Sequence, residues 1–248
     1  MNPLGAARYF PPLESADDDG VLAIGGLLST ERLVDAYAHG IFPWPDAAGV
    51  VEWCSPPVRA VFEFERFYVS HRLARTCRSR RFEVTCNRDF AGVMRGCATA
   101  NERAYEGTWI TPELYAAYCQ LHTAGFTHSV ECWLDGKLVG GVYGVAIGGY
   151  FAAESAFYLE RDASKVAIVH LVAHLEARGY ELLDIQQWTP HSASLGCIPI
   201  AREDFCERLA LARLRTIHFG NELEIPHPIV PRGQRPARLI EDWDFFTE

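Results

Sequence analysis

Two polar side chains stand two apart in an otherwise apolar run, Leu182-Leu183-Asp184-Ile185-Gln186. Residues two apart on a strand share a face, so a strand here presents Asp184 and Gln186 together. A carboxylate and an amide on a buried strand are costly without partners or work, which marks the pair as the first candidate for chemistry. Upstream, Glu154 sits among small and aromatic residues in Ala152-Ala153-Glu154-Ser155-Ala156-Phe157. Two other constellations compete. Ser155, His191 and Asp184 have the types of a nucleophile, a base and an orienting acid, but the Gly-x-Ser-x-Gly elbow is missing. His170 and His174 are four apart on a helix, a spacing that can bind metal. The acid of His-Glu-x-x-His is absent, no third ligand is evident, and helix packing is the simpler reading.

Those residues belong to a chain of 248, long enough to bury a full core. Its composition, 49% apolar and 22% charged, is that of a globular protein. No apolar run approaches the roughly 18 residues of a membrane span, and the N-terminus lacks a basic start and an apolar signal core. A cytoplasmic monomer without membrane contact is the expectation. The eight cysteines are scattered, with no Cys-x-x-Cys pair, so reduced, mostly buried thiols are expected rather than a zinc ribbon.

A net charge of −9 argues against a nucleic-acid partner, but its distribution argues for one. Only two of the 23 basic residues are Lys, and Arg66, Arg72, Arg75, Arg78, Arg80 and Arg81 cluster in one stretch. Ser70 caps a helix that places Arg72, Arg75 and Arg78 roughly on one face. Guanidinium forks at that spacing suit phosphate oxygens. Asp and Glu are absent between Arg66 and Arg81, so these charges are read as lacking local partners.

The positioning elements follow from periodicity and punctuation. Ser29 caps a helix through His39, with Gly40 beyond it. Phe82–Cys86 reads as a strand, and Asn87 is the expected cap of a helix over 89–97. Thr111 caps the next helix with Pro112 at its first position. Thr127–Leu134, Lys137–Ile147 and Tyr150–Phe157 form an antiparallel meander whose first turn, Asp135-Gly136, signals type I′. Ala163–Arg178 is a helix closed by Gly179, and Glu181–Gln187 is the next strand. Residues 1–62 read as a small loop-rich unit in which Trp44 and Trp53, among prolines, form an aromatic wall. Residues 63–219 read as one mixed α/β domain, an α+β arrangement. Residues 220–248, with Pro226, Pro228, Pro231 and Pro236 and the acidic, aromatic run Glu241–Phe246, read as a tail.

The sheet order is similar to that of acyl-CoA-dependent (GNAT) acetyltransferases, whose pyrophosphate loop enters a helix through glycines. Here that place holds Arg161-Asp162-Ala163-Ser164-Lys165-Val166, which lacks the glycine that lets a backbone approach phosphate. The cleft is therefore read as serving another activated acyl donor, without CoA.

A set of stretches narrows the reading further. They are Leu22-Ala23-Ile24-Gly25-Gly26, Ala36-Tyr37 with Gly40-Ile41-Phe42-Pro43-Trp44, Trp53 with Ser55-Pro56 and Arg59-Ala60-Val61, and Gly107-Thr108-Trp109-Ile110-Thr111. Further on come His128-Ser129-Val130-Glu131, Leu138 through Val145, Asp162-Ala163-Ser164-Lys165, Asp184-x-Gln186, and Pro190-His191 with Ala193-Ser194-Leu195-Gly196. Each is weak alone. In this order, over about residues 10–215, the chain resembles the bacterial leucyl/phenylalanyl-tRNA–protein transferases.

The resemblance implies transfer of Leu, Phe or sometimes Met from its tRNA to the α-amine of a protein beginning with Arg or Lys, a mark for degradation. It also implies an acetyltransferase-like domain behind a small N-terminal one. An aminoacyl ester is already activated, so neither metal nor cofactor is needed. In this reading Gln186 orients the amine, and Asp184 anchors Gln186 or draws off the proton. Glu154 holds the aminoacyl-adenosine end, while Trp53, Trp109, Val142, Ser155, Ala156 and Ile185 line the amino-acid pocket. The six arginines take the tRNA. A related acyltransferase with another donor, or a non-catalytic tRNA- or peptide-binding relative, is the alternative. The chain departs from the family where Gly-Gly-Asp-Leu-Ser is Gly25-Gly26-Leu27-Leu28-Ser29, and where a second Trp after Trp53 is Cys54. Gly-Glu-Ser-Met-Phe is likewise Ala153-Glu154-Ser155-Ala156-Phe157. The missing methionine enlarges the pocket and predicts a shift toward larger donor side chains.

Overall fold

Capping residues set most helix starts in the computed structural model, which describes residues 2–100, 108–224 and 229–234. Gly107 of the Gly107–Thr111 stretch lies outside the described residues, as do Pro226, Pro228, Pro236 and the run Glu241–Phe246. Ser29 and Ser70 each accept a bond from the third amide of the helix that follows, opening α1 (Thr30–Ala38) and α2 (His71–Arg78). At α3 (Phe90–Thr99) the expected cap is displaced by two residues. Asp89 Oδ1 accepts from the Gly92 amide at 2.8 Å. Asn87, at φ +55, bonds instead to the Ser129 amide and the Gly220 carbonyl. Thr111 caps α4 (Pro112–Thr123), and Gly179, at φ +82, closes α5 (Ala163–Arg178). Two short helices follow, α6 (Pro190–Ala193) and α7 (Arg202–Ala212).

The N-terminal unit is built on a three-stranded antiparallel sheet of β1 (Val21–Ile24), β2 (Phe42–Pro45) and β3 (Val51–Cys54), in the order β1-β3-β2. Pro43 and Pro45 lie on β2, an edge strand, where a missing amide donor is tolerated. Ile24 is 69% exposed, so this strand is not the buried segment its composition suggests.

The larger sheet has seven strands: β4 (Val58–Phe62), β5 (Glu83–Cys86), β6 (Thr127–Leu134), β7 (Lys137–Ile147), β8 (Tyr150–Tyr158), β9 (Leu182–Gln186) and β10 (Ile198–Ala201). Their order is β10-β4-β9-β8-β7-β6-β5. The meander β6-β7-β8 forms as expected, with Asp135 and Gly136 at φ +51 and +73 in its first turn. The β8–β9 pair alone is parallel among these neighbours.

One sheet face packs on α2 and α5, and the other on α1, α3, α4 and α7. Helix α5 lies so close to β7 that a Cβ at Gly140 would stand 2.5 Å from Ala163 Cβ, which fixes glycine there. The feature that makes the site is a gap. Strands β8 and β9 pair only from Tyr150–Leu182 to Ala152–Asp184. Beyond that point each continues without the other.

Candidate active site

Glu154 and Gln186 face each other across the gap between β8 and β9. Gln186 Nε2 donates to Glu154 Oε1 at 2.6 Å, and Tyr37 Oη donates to the same oxygen at 2.8 Å. Tyr118 Oη reaches Oε2 at 3.3 Å and shares a short bond with Tyr37 Oη. Both tyrosines are fully buried, on α1 and α4, so the far helical layer holds the carboxylate from behind. Burial pushes Glu154 up to about 7, with the Tyr37 and Gln186 bonds opposing and the Asp184 charge adding to the rise. Burial likewise holds both phenols well above their usual range, so they stay neutral donors.

Asp184 is a different kind of carboxylate. It is fully buried and ion-paired with Arg59, itself 1% exposed on β4. Arg59 Nη2 and Nε donate to Oδ2 at 2.8 and 3.2 Å, and Nε also lies 3.1 Å from Oδ1. Tyr150 Oη donates to Oδ2 at 2.8 Å and the Gln186 backbone amide to Oδ1 at 2.8 Å. Arg59 gives its remaining donor to the Gly40 carbonyl and packs between the rings of Phe42 and Phe205. Burial pulls this guanidinium down, but Asp184 and Tyr150 hold it above its ordinary value. The bond to the Gln186 amide has a visible effect. Gln186 sits at φ +61, a left-handed conformation that non-glycine residues seldom adopt, and Asp184 pins it there.

A cavity of about 830 Å³ opens over the Glu154–Gln186 contact. The structure places Trp109, Val142, Ser155, Ala156 and Ile185 together on its wall. Trp53 is the exception. It is fully buried in the N-terminal unit against Phe10 and Arg32, with Nε1 donating to the Gly25 carbonyl at 2.9 Å. The indole on the cavity wall beside Trp109 is Trp44, stacked on it at 5.1 Å between centroids. Strand alternation explains the exchange, because β2 and β3 pair antiparallel and only one of the two rings can face the cleft.

The alternatives lose their geometry. Asp184 is occupied by Arg59, Tyr150 and Gln186 rather than by His191, so no Ser155–His191–Asp184 triad forms. His170 Nδ1 bonds the Val166 carbonyl. His174 accepts the Glu224 amide at Nδ1 and therefore donates from Nε2 to the Phe219 carbonyl. Both histidines are packed and bonded to backbone.

The six arginines are all exposed on and beside α2, but four have partners, one of them three residues upstream and three from distant parts of the chain. Arg66 pairs with Glu63, Arg72 with Asp162 and Arg81 with Glu160, while Arg78 donates to the Ile229 carbonyl. The absence of acids between 66 and 81 is thus made good by neighbouring turns and by the tail.

Sequence reasoning missed Tyr37, Tyr118, Tyr150, Arg59 and Trp44 as parts of the site. Arg59 carried a signal. A lone cation in Val58-Arg59-Ala60-Val61-Phe62 requires a buried acid, and the matching lone acid stands in Leu182–Gln186.

Comparison with known proteins agrees over most of the chain. The family described as leucyl/phenylalanyl-tRNA protein transferase matches residues 61–210, and the N-terminal domain of that family matches residues 26–57. The protein called leucyl/phenylalanyl-tRNA–protein transferase in Thiobacillus denitrificans is 50% identical over 84% of this chain and 92% of its own length. That of Syntrophotalea carbinolica is 42% identical over 92% and 95%. Among solved structures, an N-acetyltransferase of Thermoplasma acidophilum in complex with coenzyme A gives a TM-score of 0.29 at 12% identity, over 40% of this chain and 75% of that one. A ribosomal-protein-alanine N-acetyltransferase of Brucella melitensis gives 0.31 at 18% identity, over 45% and 84%. On the strength of its sequence relatives, the chain belongs to the leucyl/phenylalanyl-tRNA–protein transferase family.

Proposed function

We propose that the chain moves leucine, phenylalanine or sometimes methionine from its tRNA to the α-amine of proteins that begin with Arg or Lys, marking them for degradation. The observation that carries the reading is the Glu154–Gln186 contact at the base of a largely apolar cavity. An apolar side chain has room there, and its activated ester lies beside a carboxylate poised near neutrality.

The chemistry asks for little more. As the amine nitrogen bonds to the ester carbonyl, it gives up a proton, and the bond to the ribose oxygen breaks. That oxygen leaves as the tRNA's terminal hydroxyl after taking a proton. A free α-amine titrates at about 7.7–8.0, so a usable neutral fraction exists near pH 7. Positioning supplies the larger part of the rate, and a proton acceptor adds roughly 10²–10⁴-fold. What supports Glu154 as that acceptor is its raised pKa, about 7, and its place on the cavity wall. Gln186 orients the amine. Asp184, already filled by Arg59 and Tyr150, is a positioning residue that holds Gln186 through its backbone rather than a proton acceptor.

Val142 and Ala156 are paired across β7 and β8 and both line the cavity. Ala156→Met therefore fills donor space. A methylene in such a pocket is worth about 1–3 kcal/mol, so the substitution is expected to lower kcat/KM for Phe-tRNA relative to Leu-tRNA by at least ~10-fold. Competitive transfer from the two donors reads this out. The exposed arginines of α2 are proposed to track the RNA backbone. Arg75→Ala should weaken tRNA binding and reduce the salt slope of log K by about 1.

The reading as a whole is tested by incubating the protein with radiolabelled Leu- or Phe-tRNA and a peptide beginning with Arg or Lys. Label in the peptide is the expected result. Label retained on the tRNA, with tRNA still bound, would favour a binding protein.

A further inference from the structure

The first turn of α5 forms another part of the same cavity wall, through Ser164 and Lys165 with Arg161 and Asp162 just before them. The sequence lacks a glycine here, which suggests that no phosphate can approach. The backbone meets that need differently. Asp162 itself takes the left-handed turn, at φ +69, and does not cap the helix with its side chain. Its carboxylate turns away to Arg72 at 3.3 Å and Arg161 at 4.0 Å. The amides of Ala163 and Val166 bond to Glu160 and Asp162, whereas those of Ser164 and Lys165 find no acceptor among the described residues.

A second observation points the same way. Ser164 is only 7% exposed and lines the cavity, and its hydroxyl has no hydrogen-bond partner among the described residues. Open to the cavity on a residue this buried, and beside two free amides, the hydroxyl suits an acceptor with several lone pairs. The surroundings favour an anion. Asp162 and Glu160, the two acids at this turn, are paired with Arg72 and Arg81, and Arg161 and Lys165 leave positive charge in excess. His191, also on the cavity wall, stays neutral because burial and the nearby Lys165 lower its pKa.

We propose that the first turn of α5 is a phosphate subsite of the donor cleft, holding a phosphodiester of the RNA's single-stranded 3′ end. The amide and hydroxyl of Ser164 and the amide and ammonium of Lys165 supply the donors, aided by the positive end of a 16-residue helix. The assignment rests on the donor being an aminoacyl-tRNA, as proposed above. It adds a fixed point at one end of the cavity, while the amine and ester react beside Glu154 and Gln186 at another.

The test uses binding, so it does not depend on transfer. Adenosine, adenosine 5′-monophosphate and inorganic phosphate are titrated separately into the whole protein, with calorimetry and the Ser164 and Lys165 amide signals as readouts. The nucleotide should bind at least ~10-fold tighter than the nucleoside, as a charge-assisted anion site requires, and should shift both amides. Ser164→Asp should abolish that preference, because its carboxylate occupies the site while still favouring the helix start. Lys165→Ala should reduce the preference several-fold, and provides the test if the first variant does not fold. Equal affinity for nucleoside and nucleotide in the wild type overturns the proposal, as does an unchanged preference in both folded variants. Inorganic phosphate binding as tightly as the nucleotide would also overturn it, by making this a free-anion site. Loss of peptide labelling with the nucleotide preference intact would sink the transferase reading and leave the subsite standing.

Discussion

Arg59→Ala is expected to cost about 3–5 kcal/mol of folding stability, among the largest effects of any single change in this chain. The reason is what it leaves behind. Asp184 is fully buried, and its Arg59 partner is 1% exposed. Removing the guanidinium strands a carboxylate that keeps only Tyr150 and the Gln186 amide. The Gly40 carbonyl loses its Arg59 donor too, and the Phe42 and Phe205 rings lose the cation between them. A urea midpoint that falls with an unchanged m-value would register the loss. Replacing both partners with apolar residues of similar volume, Arg59→Met with Asp184→Leu, should recover much of it, because the pair itself is worth far less than either charge left alone. The double variant should nonetheless transfer poorly, since nothing then pins the Gln186 backbone at φ +61. A loss below about 1 kcal/mol in Arg59→Ala would mean that the ion pair is not desolvated as described.

Glu154→Gln is expected to lower the rate of transfer by about 10²–10⁴-fold with little loss of stability. The amide has nearly the same shape and still accepts from Tyr37 at its carbonyl, so the side chain should stay in place. It cannot take a proton. Tyr37→Phe separates holding from accepting. It removes one donor to the carboxylate, which should raise the Glu154 pKa further and shift activity to higher pH without abolishing it. A rate in Glu154→Gln within a few-fold of wild type would move the proton to solvent or to the donor's own ribose hydroxyl.

Much of this site was legible in the sequence, and the limits are instructive. The meander, the type I′ turn at Asp135-Gly136, and the caps Ser29, Ser70 and Thr111 were readable because each rests on local chemistry within four residues. Asn87 was misread because Asp89 offers the same cap two residues later, and only the pairing of β5 with β6 shows that Asn87 is needed at Ser129. The pair Asp184 and Gln186 stood out by strand period alone. Their division of labour did not, since it depends on Arg59, 125 positions away, and on where β8 and β9 part. Glu154 was named as a site residue, but its raised pKa comes first from burial, which the bonds from Tyr37, Gln186 and Tyr118 oppose, and that burial depends on distant helices. The exchange of Trp53 for Trp44 is a register question, and a hairpin of short, Pro-rich strands gives the sequence little to decide it. The Arg cluster was visible, while its partners Glu63, Asp162 and Glu160 arrive from turns outside the stretch.

The sharpest check is the pH dependence of kcat/KM for transfer to an Arg-initiated peptide, in wild type and in Glu154→Gln. Glu154 is raised to about 7, so it is an acceptor above that pH and is protonated below it. The acceptor amine, at about 7.7–8.0, is also protonated there. On the acid side two ionisations should therefore cut the wild-type rate, giving a slope of log rate against pH that approaches about 2, since this profile reports the free enzyme and free substrate. Glu154→Gln should retain only the amine's slope of about 1. Parallel profiles, with the same limiting slope in both proteins, would contradict Glu154 as the group that takes the proton.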